Sequence, residues 1–141
     1  MVQLMQKEGM VIRNINSFMQ KELVDGYDDY KVGKGVMSTT IMHDKEFYIK
    51  GEIIMPNSRG NPHSHPFPTL IVMLSGHVAV KHGQALEHYS MASQGDLIYI
   101  PTHYPHCPEN IDSERAVKCL VMRNSPEDVI NEFKITKIGG N

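Results

Sequence analysis

LIVMLSGHVAVK, residues 70–81, consists of two runs of apolar and β-branched residues split by a single glycine, Gly76. Branched side chains fit a pleated, half-buried surface, and runs of five or six residues bounded by glycine read as strands, not helices. The same pattern continues in both directions. Downstream, DLIYI at 96–100 follows the turn pair Gln94-Gly95, and AVKCLVM covers 116–122; upstream, VMSTTIM at 36–42 and EFYIKGEIIM at 46–55 flank the polar His43-Asp44-Lys45. In the last of these, Phe47, Ile49, Ile53 and Met55 alternate with Tyr48, Lys50 and Glu52, the pattern of a half-buried strand. Pro56-Asn57-Ser58-Arg59-Gly60 then reads as a loop. Many short strands divided by Gly/Pro turns predict an all-β protein, an antiparallel sandwich or barrel that closes on itself.

At 141 residues the chain has the length of one domain, here 1–141, with the barrel core at about 35–123. Helix signals occur only near the termini. Ser17 with Gln20 forms a capping-box pattern for a short helix at about 17–25, and Ser125-Pro126-Glu127-Asp128 opens another at about 126–133. The 14 basic and 16 acidic residues are interspersed, so no surface invites nucleic acid. No apolar run reaches the roughly 18 residues needed to span a bilayer, and the first ten residues lack a signal peptide's apolar stretch. A cytoplasmic protein without membrane contact is expected. Cys107 and Cys119 fit no CxxC pattern and should be reduced thiols. Met37, Met42, Met55, Met73 and Met122 fall on strands and read as core filling.

The eight histidines include two tight pairs, His63 with His65 and His103 with His106. Residues i and i+2 of an extended segment face one way, so His63 and His65 have chelate spacing. Two same-face histidines can equally be solvated or hydrogen-bonded, and spacing alone leaves both readings open.

GNPHSHPFPTLIVMLSG and GDLIYIPTHYPHCPEN resemble the two sequence motifs of the cupin superfamily. Gly95, Pro101, His106 and Asn110 match the second motif, with His103 in place of a glycine; His63, His65 and Gly76 match the first, with Asn57 in place of a glycine and Thr69 in place of a glutamate. Asn and His both tolerate the left-handed backbone that such glycines adopt. The resemblance implies a double-stranded β-helix, the jelly-roll barrel, with one divalent metal ion on His63, His65 and His106. The fourth ligand of the motif, a carboxylate, is replaced by the neutral Thr69, better suited to contact a metal-bound water or the substrate. Glu52, on the strand before the first motif, is the alternative source of a lumen-facing carboxylate.

Three neutral imidazoles leave the full charge on the ion, favouring an anionic ligand and open coordination positions. By family analogy such a site resembles those of three-histidine iron dioxygenases, with Fe(II) favoured and Zn, Ni or Mn as alternatives. The leading expectation is a mononuclear non-haem iron, dioxygenase-like enzyme acting on a small anionic organic substrate, with His103 and Thr69 as catalytic residues. His103 would shuttle protons or hold the anion, although a surface-loop histidine is equally compatible with its position. The alternatives are a Zn-, Mn- or Ni-dependent isomerase, cyclase or lyase, and a non-catalytic ligand-binding or sensory cupin. Homodimers are common among relatives and are expected here.

Overall fold

The computed structural model describes residues 10–17, 35–44, 46–124 and 131–132. Ten strands are assigned: β1 (Val36–His43), β2 (Tyr48–Ile54), β3 (His63–Ser64), β4 (Thr69–Ser75), β5 (His77–His82), β6 (His88–Ser93), β7 (Leu97–Ile100), β8 (His106–Glu109), β9 (Val117–Arg123) and β10 (Asn131–Glu132). They form two five-stranded antiparallel sheets, ordered β1-β2-β9-β4-β7 and β10-β3-β8-β5-β6. From β3 onward the chain crosses between sheets at every connection except the β5–β6 hairpin, which is the jelly-roll path. The all-β expectation holds.

Register places the side chains in layers. Arg123 of β9 lies opposite Tyr48 of β2 and Thr69 of β4; Val121 lies opposite Lys50 and Ile71, and Cys119 opposite Glu52 and Met73. With a side-chain period of two, Tyr48, Lys50, Glu52 and Ile54 all turn inward, and all four are buried. The strand is covered on both faces, not half-buried: Lys50 is 1% and Ile53 4% exposed, and only the flanking Phe47 (51%) and Met55 (39%) are exposed. Lys50 and Glu52 of this inward face line the cavity inside the barrel. The apolar core adjoins it, with Val36, Ile54, Met73, Val78, Val117, Cys119 and Val121 in one cluster. Burying each of the aliphatic side chains contributes about 1.5–3 kcal/mol. Of the five strand methionines only Met73 is fully buried, since Met37, Met42 and Met122 lie on the half-covered outer face of the first sheet.

Two strands escape a hydropathy reading. HYSMAS (β6) is an edge strand with four exposed residues, and HCPE (β8) contains a proline. At the N-terminus, Asn14 accepts the Ser17 N–H at 3.1 Å, so Asn14 caps the turn at residues 15–17 in place of Ser17; residues 18–25 of the expected helix lie outside the described residues. Of the second expected helix, Asn131 and Glu132 are strand instead, paired with Ser64 and His63, and its remaining residues also lie outside those described. The pairing supplies β3 with a neighbour on its outer side, which a helix could not do. No helix among the described residues is long and apolar enough to cross a membrane.

Turn residues behave as their motif positions require. Asn57 and His103 both take φ 59°, and Gly76 takes φ 83°. A Cβ at Gly76 would also lie 2.7 Å from the Ala116 carbonyl oxygen, so glycine is needed there for space as well as conformation. Asn110, 1% exposed, ties three segments together: its Nδ2 donates to Ile54 O (3.0 Å) and Arg115 O (2.8 Å), and its Oδ1 accepts from Asp112 N (3.0 Å). Replacing it with alanine leaves these buried backbone groups without partners, and Asn110→Ala should lower unfolding stability by about 2–4 kcal/mol, read as a shifted urea midpoint.

Candidate metal centre

His63 starts β3 and His106 starts β8, and the antiparallel register sets the two directly opposite each other. His65 follows immediately beyond β3, held by a 2.7 Å hydrogen bond from the His103 N–H to its carbonyl oxygen. The three rings therefore converge, with centroid separations of 4.9 Å (His63–His65), 4.3 Å (His63–His106) and 5.0 Å (His65–His106). All three are buried, and one nitrogen from each lies within 4.8 Å of the others; among the described residues no other histidine, cysteine or carboxylate joins this group.

Hydrogen bonding identifies the inward nitrogens. His63 Nδ1 donates to Asn61 O (2.7 Å) and His106 Nδ1 to Tyr104 O (2.8 Å), which leaves Nε2 as the donor atom of each towards a metal. His65 Nε2 lies 3.2 Å from Arg123 Nη2; a guanidinium can only donate, so Nε2 is the acceptor and the ring proton is on Nδ1, 3.4 Å from Thr69 Oγ1. Thr69, 1% exposed, thus stands beside a ligand ring and steadies its tautomer. Three converging imidazoles, two of them anchored through Nδ1 to backbone carbonyls with Nε2 left free, are a donor set that fits a divalent transition metal.

The charge around this centre was hidden in the sequence. Arg123 is 4% exposed, with its guanidinium 5.3 Å from the centroid of Phe67, whose ring in turn stacks on His65 at 5.8 Å. Lys50 and Glu52 also line the cavity, with Nζ and Oε2 3.8 Å apart. Glu52 is the lumen-facing carboxylate its strand position allows, but it lies outside the ligand cluster. Among the described residues the lumen is thus lined by two basic side chains, Lys50 and Arg123, and one carboxylate, Glu52. A strand-terminal arginine and a lysine alternating with apolar residues read as solvated; the one available signal was that both share an inward face with the motif positions opposite them.

His103 reaches the site through its backbone. Its side chain is exposed and does not line the cavity, whereas its backbone, in the left-handed region, laces the second motif to His65. His82, to which no role was assigned from sequence, pairs with His106 in register; its Nδ1 contacts Tyr104 Oη at 2.9 Å and its Nε2 contacts Ser90 Oγ at 2.8 Å. This fixes Tyr104, the residue whose carbonyl orients His106. Cys119 faces the lumen, and burial raises its thiol pKa well above the ordinary value; Cys107 donates to Gly60 O at 3.0 Å, and both thiols are free.

Burial, reinforced by the charges of Arg123 and the neighbouring histidines, pushes the His65 pKa far down; burial and the His63 charge lower His106 to about 3. Both imidazoles stay neutral at physiological pH, the form a metal requires. The unfolded chain, with histidines near 6.5, binds more protons than the folded one between pH 3 and 6.5, so folding stability is complete above pH 6.5 and falls as the pH drops below it. Urea midpoints of chelator-treated protein should decline from pH 7 to pH 5, with these two histidines each contributing up to about 1.4 kcal/mol per pH unit.

Solved structures with this architecture include the polyketide cyclase RemF from Streptomyces resistomycificus (TM-score 0.63, 17% identity, covering 77% of this chain and 78% of that one). A cupin-2 domain protein from Rhodospirillum rubrum superposes with TM-score 0.64 at 16% identity, covering 76% of this chain and 71% of that one. The DMSP lyase DddQ from Ruegeria pomeroyi gives 0.58 at 14% identity, covering 68% and 50% respectively. At these identities the likeness is one of fold. No curated protein sequence matches significantly. The family profile described as "Cupin domain" matches residues 52–123, just over half of the chain and the whole of both histidine motifs, and the protein belongs to the cupin family.

Proposed function

We propose that the protein is a metal-dependent enzyme that draws a small organic anion into the barrel lumen and oxidises it with dioxygen at Fe(II) held by His63, His65 and His106. The observation that carries this reading is the composition of the centre: three buried imidazoles with no carboxylate from the described residues among them, bordered by Arg123 and Lys50. The ion would keep its full positive charge and several open coordination positions. Arg123 would contribute a planar fork suited to a carboxylate. One lone pair cannot serve both a guanidinium and a metal, so loading the centre would release Arg123 from His65 towards the substrate.

A second reading is favoured by the Glu52–Lys50 pair. A carboxylate and an ammonium inside the lumen are the acid and base that proton-transfer chemistry needs, with Zn, Mn or Ni as the Lewis acid stabilising an enolate. The cyclase and the lyase among the structural neighbours make that chemistry worth testing on this chain.

Metal analysis of protein purified without an affinity tag comes first. His106→Ala should abolish stoichiometric metal, and Thr69→Val should weaken affinity by roughly 10- to 100-fold, the usual effect of losing an outer partner of a ligand. Unchanged metal content in His106→Ala overturns the proposal. Oxygen uptake with Fe(II) across thiol and diketone substrates then tests the oxidase reading. Anaerobic deuterium exchange from D2O into a 2-oxo acid, lost in Glu52→Gln, is the outcome that selects proton transfer instead. Catalytic silence with saturable binding identifies a ligand-binding cupin.

A further inference from the structure

The lumen around the three histidines is small. Its cavity measures about 40 Å³, room for about three water-sized groups at 10–15 Å³ each. Next to it lies a much larger groove of about 610 Å³, where the two sheets part between their edge strands β6 and β7. The two spaces share four lining residues, Val80, Ile98, Ile100 and His106, so the groove begins on the far side of the side chains that bound the lumen and reaches one of the metal-ligand histidines.

The groove is built for an apolar occupant. Met91, Leu97 and Tyr99 line it while remaining 55%, 66% and 65% exposed. Its polar side chains are already engaged: His82 contacts Tyr104 and Ser90 through its two nitrogens, and Asp96 Oδ2 accepts the Ser93 N–H at 2.8 Å. What remains on offer is hydrophobic area that continues from the site.

We propose that the substrate is amphipathic, with its anionic head in the lumen beside His106 and Arg123 and an acyl or aryl tail lying in the β6–β7 groove. This rests on the reading of the lumen as an anion site and names the substrate class: an organic acid whose apolar body is larger than the lumen can hold. The occupant is committed by adjacency: Val80, Ile98, Ile100 and His106 line both spaces, so a tail that passes between these side chains would enter this groove.

Calorimetric titration of Zn(II)-loaded and EDTA-treated protein with straight-chain 2-oxo acids from pyruvate to 2-oxooctanoate tests the proposal. Each added methylene should tighten binding by roughly two- to fourfold, the increment for burying one CH2. In Leu97→Gln/Tyr99→Ser, whose altered positions are about two-thirds exposed and outside the core, those increments should vanish. Affinity independent of chain length in the wild type overturns the proposal without recourse to any variant, and increments that survive in the double variant overturn it too. A flat series together with a change in elution volume for the double variant assigns the groove to self-association and also overturns it. If the wild type takes up no Zn(II) but the increments persist after EDTA treatment, the metal reading falls and the amphipathic substrate stands. Stoichiometric Zn(II) with a flat series gives the reverse.

Discussion

Everything at the centre of this barrel depends on one register, that of β3 against β8. Their pairing is a single residue pair, His63 opposite His106, and a slip of one residue would turn one of the two imidazoles out of the lumen. So short a ladder is secured from outside itself. Gly60 N–H donates to Pro108 O at 2.8 Å, Asn110 N–H to Ser58 O at 2.8 Å, Arg59 bridges Glu109, and β10 pairs with β3 along its other edge. Asn110 and the left-handed turns at Asn57 and His103 belong to the same bracing, holding the connections in which the histidines are mounted. The two motifs are thus, physically, one device: a pair of loops that fix where three imidazoles point.

That device was legible in the sequence because it is local. Spacing alone left His63 and His65 open between chelation and solvation; the resemblance to the two cupin motifs, with His106 placed by its distance from Gly95 and Pro101 and with Asn57 and His103 at glycine positions, made the centre legible. The short strands of the first sheet were legible for the same reason, being apolar runs cut by glycine. What could not be read was anything that depends on closure. Whether the face carrying Tyr48, Lys50 and Glu52 points to water or inward is decided by which strands lie opposite, and hydropathy alone does not reveal that this face is buried as well. Arg123 is hidden for that reason, and β6, β8 and β10 for another: edge position, an internal proline and a two-residue length each suppress the alternation by which strands are recognised.

The substitution of threonine for the motif glutamate looks different once its neighbours are known. Taken alone, Thr69 removes a negative charge. In place, it pairs in register with Arg123 and shares a ring, His65, with it: the hydroxyl at Nδ1 and the guanidinium at Nε2. A glutamate at 69 would bring a carboxylate to the layer Arg123 occupies, and a buried ion pair there would neutralise the cation before any ligand arrived. Threonine keeps the tautomer in order without adding a second charge to that layer.

The pairing of β10 with β3 bears on how the molecule comes together. Glu132 lies opposite His63, about seventy residues earlier, and Arg123 opposite Tyr48 at a similar separation. Such contacts close large loops and form only after the chain has lost the corresponding entropy, which makes folding slow relative to a helical protein of this size. The histidine centre is built from these late contacts. An ion that recognises all three imidazoles would bind the finished fold and not its precursors, and so would act as a thermodynamic latch on the last step of assembly.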